Sequence, residues 1–273
     1  VSAETAPSSF TDRRRARVAG YGFAALISVR NYASLYPPSI MLLTIVPRVL
    51  LQTAFVAYLG YYAAGVPGRT FAFIGAACQI MTTATVAKGA DAILDERVHG
   101  TMYRVRLGVL AVPGTIAARW LVYAAEGFGA SMTAILVLAV PFGGTHLLLH
   151  LLAATPLVAL LALTTSAFGL AVGSFALSYR ADVLIVNFAT YAMLLLCGVA
   201  APTTVFTVGG INLPRFLPLT NGLLAVRAVV DGRPWLGDAA LEVLVGGAWA
   251  VVAILLLARQ DRRARRLGAD DLL

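Results

Sequence analysis

Asp95-Glu96-Arg97-Val98-His99-Gly100-Thr101-Met102-Tyr103-Arg104-Val105-Arg106 is a charged island between two long apolar runs. Segments of this kind lie in water against a membrane, and the arginines hold them on the inner side. Gly100 can adopt a left-handed or tightly turned backbone that a residue with a side chain resists. A helix is therefore expected to end near Glu96 and a short second one to begin after Gly100. Two readings of the island stay open on these residues: an ordinary inner loop, or a docking handle for another protein.

Working outward, the composition sets the class. The 273 residues are 59% hydrophobic and 12% charged, with a mean hydropathy of +0.82, whereas soluble domains carry about a quarter charged residues. The chain reads as an integral membrane protein in contact with lipid. Its net charge of +8 does not indicate nucleic acid, because the arginines cluster beside apolar runs and form no basic face with interleaved aromatics. Cys78 and Cys197 both fall inside apolar runs, which argues against a structural disulfide.

Before the island, residues 1–11 are small and polar and are expected to be a disordered tail. Residues 12–35 carry Arg13, Arg14, Arg15, Arg17 and Arg30 around Val18, Phe23, Leu26 and Ile27. This resembles a signal peptide, but no small-residue cleavage site follows, so an amphipathic helix on the inner surface is expected. Pro37-Pro38 break the chain. Ser39–Tyr62 then give a first span interrupted by Arg48, Gly65-Val66-Pro67-Gly68-Arg69 an outer turn, and Phe71–Leu94 a second span. Lys88 and Asp91, three apart on that span, are expected to pair locally.

After the island, residues 116–140 make a third span with Glu126 deep inside, and Pro141-Phe142-Gly143-Gly144-Thr145 an uncharged outer turn. The apolar run His146–Leu177 is about 48 Å long as a helix. It must tilt, kink at Pro156 or begin on the outer surface. Within it, Gly169 and Gly173 form a GxxxG pattern that permits close helix approach. Residues 178–182 are a short inner loop, Val183–Ala201 a fifth span and Leu241–Leu257 a sixth. The apolar stretch Leu223–Val230 between them is too short to cross and reads as outer interfacial or re-entrant helix. The basic tail, residues 259–273, carries Arg259, Arg262, Arg263, Arg265 and Arg266. The arginine bias places both termini in the cytoplasm and yields six spans.

These residues resemble the transmembrane subunit of the type-2 ABC exporters, the permeases of drugs, lipids and polysaccharides. Three features carry the resemblance: the amphipathic amino-terminal helix before six spans, the Glu-Arg-x-x-Gly-Thr pattern at Glu96, Arg97, Gly100 and Thr101, and the connection from the fifth span to the sixth. In that connection Gly198…Pro202, Pro218-Leu219-Thr220 and Arg227…Gly232 match the family's order. His99 and Asn221 depart from it. The resemblance implies an all-α fold with a single transmembrane domain over residues 12–258. It also implies a coupling helix within residues 95–106, with Asp95, Glu96, Arg97, Gly100, Thr101 and Arg104 docking on a separate ABC ATPase subunit, and short re-entrant helices in 202–232. A second permease subunit, identical or paralogous, a bacterial plasma-membrane location and an amphipathic or lipid-like cargo follow from the same likeness.

Enzyme readings find little here. A phosphate-binding loop GxxxxGK[ST] needs a lysine after glycine, and the only lysine, Lys88, follows Ala87. ATP and Mg are therefore expected on the partner ATPase, with no cofactor in this chain. No HExxH or cysteine cluster offers a metal site, and His146 and His150, four apart, read as interfacial packing. The competing reading is a secondary transporter that uses Glu126 as an intramembrane coupling carboxylate. Phe55, Tyr58, Phe73, Phe188 and Tyr191 are candidate walls of a substrate path. Arg48 and Glu126, each about 15 Å from the inner edge by helical rise, are expected to share a partner or to pair with each other.

Overall fold

The computed structural model describes the backbone of residues 10–90, 112–176, 182–208 and 211–267, and the side chains of residues 19–90, 114–176, 183–207 and 212–263. Asp91, the island at 95–106 with all six coupling candidates, and residues 178–181 lie outside the described residues. The fold is a bundle of α-helices with one small hairpin. Among the described residues, four helical stretches are long and apolar enough to cross a membrane: Pro38–Lys88, Gly114–Ala153, Thr155–Ala176 and Leu236–Arg263.

α1 is Phe10–Leu35. Tyr21 faces Gly114 and Tyr32 faces Tyr123, with ring centroids 6.1 Å apart. Near-equal steps along both segments mean that α1 runs alongside the long helix Val112–Ala153 in the same direction. Pro37 and Pro38 end it, because proline disfavours the helical conformation in the residue before it and cannot donate. Pro38 then serves as a first-turn residue, and the Pro37 carbonyl accepts from Ile40 and Met41 at 2.9 and 3.1 Å.

α2, Val46–Gln79, is two helices joined at Ala64 and Gly65. Gly65 has φ +66, a backbone conformation open to glycine at little cost, and Pro67 falls in the first turn of the second limb. Contacts between Gly60 and Ala72 near the turn, and between Arg48 and Thr83 farther away, make the limbs an antiparallel hairpin. Each limb carries a π-helical stretch at its far end, Met41–Ile45 before the first and Thr83–Lys88 after the second.

α3, Val112–Ala153, breaks in the same way at Gly144, φ +75. α4, Thr155–Ala176, follows after Ala154. The long apolar run expected from His146 is thus divided at Ala154, with Pro156 in the first turn of α4, where its missing N–H is harmless. α5 is Asp182–Leu196. It ends five residues short of the expected Ala201, because Gly198 (φ +80) turns the chain. A 3-10 turn, the pair β1 (Thr207–Val208) and β2 (Ile211–Asn212) in antiparallel register, and a second 3-10 turn lead to α6, Thr220–Val230. α7, Leu236–Leu267, continues as helix into the basic residues from Arg259 onward.

The apolar window of α4 is 72% buried, against 17–28% in the other three long stretches. α4 is therefore the central post, and the others turn apolar faces outward. The core joins Phe73 of α2, Met81 just after it, Ile135 of α3, Leu161 of α4, Met193 of α5 and Leu223 of α6.

Candidate functional site

Two polar constellations interrupt this apolar bundle, one at each end. The first lies between the π-helical stretches of α2 and the middle of α3. Glu126, whose side chain is 6% exposed, forms an ion pair with Lys88 through Oε1. Its Oε2 is buried, with the Tyr32 hydroxyl as its polar neighbour. The Lys88 ammonium also lies 4.1 Å from the Tyr36 ring centroid and 5.9 Å from that of Tyr32, a cation–π arrangement strengthened by desolvation. Burial, and after it the Glu126 carboxylate nearby, raise the Tyr32 hydroxyl far above the ordinary tyrosine value and keep it protonated. Arg48, exposed on the first limb, donates to Thr83 Oγ1 at 3.2 Å. Arg48, Thr83, Lys88 and Glu126 line one cleft with Ile45, Val49, Ile80, Ala84 and Ala130.

The expected pairing of Arg48 with Glu126 is therefore corrected. Glu126 takes Lys88, which the sequence assigns to Asp91, and Arg48 takes a threonine. The reason is register: Lys88 lies at the open end of the hairpin, opposite the start of the first limb. There the second limb meets α3, and the Arg48 side chain is turned toward Thr83.

Close packing holds the second limb in place. A Cβ on Gly169 of α4 would overlap the Thr85 carbonyl, and one on Gly173 would come within 3.0 Å of the Ala90 Cα. The GxxxG pattern is thus a packing seam, and its partner is the π-helical stretch. The Thr85 carbonyl additionally accepts from Trp120 Nε1 at 3.2 Å. π-helical turns widen the backbone and leave carbonyls free for such partners.

The second constellation surrounds α6, whose amino terminus is buried in the bundle. The first N–H groups of any helix lack intrahelical acceptors, and in an apolar setting each must find one. Glu242 of α7, fully buried, supplies them. Its Oε1 accepts from Leu219 N at 2.9 Å and from Thr164 Oγ1 at 2.6 Å, and its Oε2 accepts from Gly222 N at 2.9 Å. The carboxylate also faces the positive end of the helix dipole. Leu219, at φ +81, is the one described non-glycine residue with positive φ. Such a conformation costs about 1–3 kcal/mol, and the Glu242 hydrogen bond and complete burial of Leu219 help to hold it.

At its other end α6 closes as a Schellman motif, with Arg233 N to Ala228 O at 2.7 Å and Gly232 N to Val229 O at 3.2 Å. Arg227 turns inward and donates through Nη2 to the carbonyls of Phe71 (3.0 Å) and Val199 (3.3 Å). Its guanidinium stacks 3.5 Å from the Phe71 ring centroid. One planar fork thus ties α6 to the second limb and to the end of α5.

Sequence reasoning identified a single deep acid and missed Glu242, which lay one residue inside the expected sixth span and looked like a span edge. Of the aromatic wall candidates, Phe55, Tyr58, Phe188 and Tyr191 are exposed, whereas Phe73 is fully buried against Phe142, with centroids 5.4 Å apart. His146 and His150 stack at 4.1 Å, and His150 Nδ1 bonds the His146 carbonyl at 2.8 Å. Cys78 and Cys197 are free and buried. Comparison of the chain with protein-family profiles, with curated proteins and with solved structures returned no match.

Proposed function

We propose that this chain is the permease subunit of an ATP-driven exporter that moves an amphipathic or lipid-like compound out across the bacterial plasma membrane. In this reading the hairpin limbs of α2, the two parts of α3 with α4, and then α5 and α7 supply six spans with cytoplasmic termini. Residues 95–106 dock on a separate ATPase, and two permease subunits complete the transporter. ATP-driven closure of the ATPase pair then displaces the docked segments and shifts the spans between inward- and outward-open arrangements. Phe55, Tyr58, Phe188 and Tyr191 remain candidates for the path, and buried Phe73 is dropped from it.

The observation that carries the reading is the cap between α5 and α6. Gly198 turns the chain, Leu219 and Thr220 open a helix too short to cross, and Arg227 and Gly232 pin and close it. These are the positions on which the resemblance to type-2 exporters rests.

The test separates docking from folding. Glu96→Ala removes one charge from a segment that the sequence assigns to water, where changes cost within about 0.5 kcal/mol, and Gly100→Val opposes the turned backbone that the sequence leads one to expect at that glycine. Both variants are expected to insert normally and yet to lose export and the cargo-stimulated hydrolysis of a co-purifying ATPase, Gly100→Val the more completely. Full transport by both would overturn the reading.

A second reading, a proton-coupled secondary transporter, is favoured by the burial of the Glu126 side chain deep in α3. It requires that an uncoupler abolish export while ATP depletion does not.

A further inference from the structure

We infer that the cleft between Arg48, Thr83, Lys88 and Glu126 binds the monoanionic headgroup of a membrane amphiphile, with a phosphate or carboxylate as the recognised group. The charge count comes first. Among the described residues two cations and one carboxylate face the same cleft, and the Lys88–Glu126 ion pair neutralises itself, so one positive charge remains among them, on Arg48.

The donor count points the same way. Arg48 has five N–H groups and bonds one protein acceptor, Thr83 Oγ1. Thr83 accepts that bond while its own proton meets no acceptor among the described residues. Lys88 has three protons and gives one to Glu126. Among the described residues, donors in surplus, one net positive charge and no free anion on the Arg48 side define a site that a single anionic group completes.

The cleft also has an apolar wall and a suitable depth. Ile45 and Ile80 line it beside the charges, as an acyl chain attached to the headgroup requires. Its Lys88 side lies where the apolar stretch Pro38–Lys88 ends, beside Tyr32 and Tyr36 in and just after the last turn of α1, and its Arg48 side lies about 15 Å of helix beyond the start of that stretch, so the cleft extends inward from the end of the span. A soluble anion would use the polar side and leave the apolar wall unfilled. The site stands independently of the exporter reading, because it requires neither an ATPase nor transport.

Native mass spectrometry of the purified chain in detergent, titrated with phosphatidylglycerol or phosphatidylcholine, reads the inference directly. One net charge at a membrane surface predicts a preference for the anionic lipid of roughly fivefold. Arg48→Gln is expected to abolish that preference. Glu126→Gln, which leaves both cations unopposed, is expected to raise it by roughly the same factor. The opposite signs keep the test decisive if one variant folds poorly. Arg233→Gln, at an exposed arginine paired with Asp231 at the opposite end, should leave the preference unchanged. Equal binding of both lipids by the unmodified chain, or a preference that survives Arg48→Gln, would overturn the inference. Displacement of phosphatidylglycerol by excess inorganic phosphate would assign the cleft to a soluble anion and overturn it equally.

Discussion

Glu242 and Glu126 are both withdrawn from water, and their partners set different consequences for replacing them. Glu242→Ala strands the N–H groups of Leu219 and Gly222, while the Thr164 hydroxyl can still turn to the Leu161 carbonyl, 3.2 Å away. At about 1–3 kcal/mol for each stranded group, the loss is roughly 2–6 kcal/mol. It should appear as a large fall in the thermal midpoint of the purified chain, with Glu242→Gln intermediate because one acceptor oxygen remains. Glu126 instead depends on a single cation. A double-mutant cycle between Lys88→Met and Glu126→Leu should show coupling of roughly 0.5–3 kcal/mol, whereas Arg48→Ala and Glu126→Leu, which share the cleft but no direct contact, should couple more weakly. Coupling between Arg48 and Glu126, with none to Lys88, would contradict the pairing described above. Neither partner choice was legible in the sequence. The acids and bases stand 38 positions apart in one case, and in the other the acceptor serves backbone N–H groups that any sequence would carry.

At the scale of elements, the apolar runs and their breaks were legible because their causes are local. Pro37-Pro38, Gly65 and Gly144 end helices wherever they occur in such a run. The Gly169/Gly173 spacing also announced a seam, but not its partner, since the π-helical widening of Thr83–Lys88 has no sequence signature comparable to a proline. Gly169→Leu would drive a side chain into the Thr85 backbone, and overpacking of this kind costs about 1–3 kcal/mol or more. Gly129→Ala is the matched control: a Cβ there meets nothing within 4 Å, and helix propensity predicts a gain of up to about 1 kcal/mol. Thermal midpoints of the two variants should move in opposite directions, and equal shifts would remove the seam. The early end of α5 and the burial of α6 were hidden for a related reason. A short apolar stretch looks the same in sequence whether it rests on a membrane surface or inside a bundle.

For the whole molecule, the six-span arrangement with cytoplasmic termini is a statement about sidedness, and labelling tests it. Both native cysteines are buried and should stay silent toward an impermeant thiol reagent, so single cysteines can be read against the unmodified chain. Gly144→Cys, at an exposed break in α3, should react in intact cells, whereas Ser8→Cys and Ala269→Cys should be protected until the membrane is opened. Labelling of either terminus from outside would reverse the orientation. The cap on α6 bears on a different matter, the order in which the chain can be made. Its amino-terminal N–H groups are satisfied by Glu242, which is synthesised after them. A nascent chain that has delivered Val230 to the insertion machinery but not yet Glu242 holds a short helix that lipid cannot accept. That stretch must wait in a protected or aqueous place until Glu242 arrives, which makes the insertion of α7 the step that seats α6.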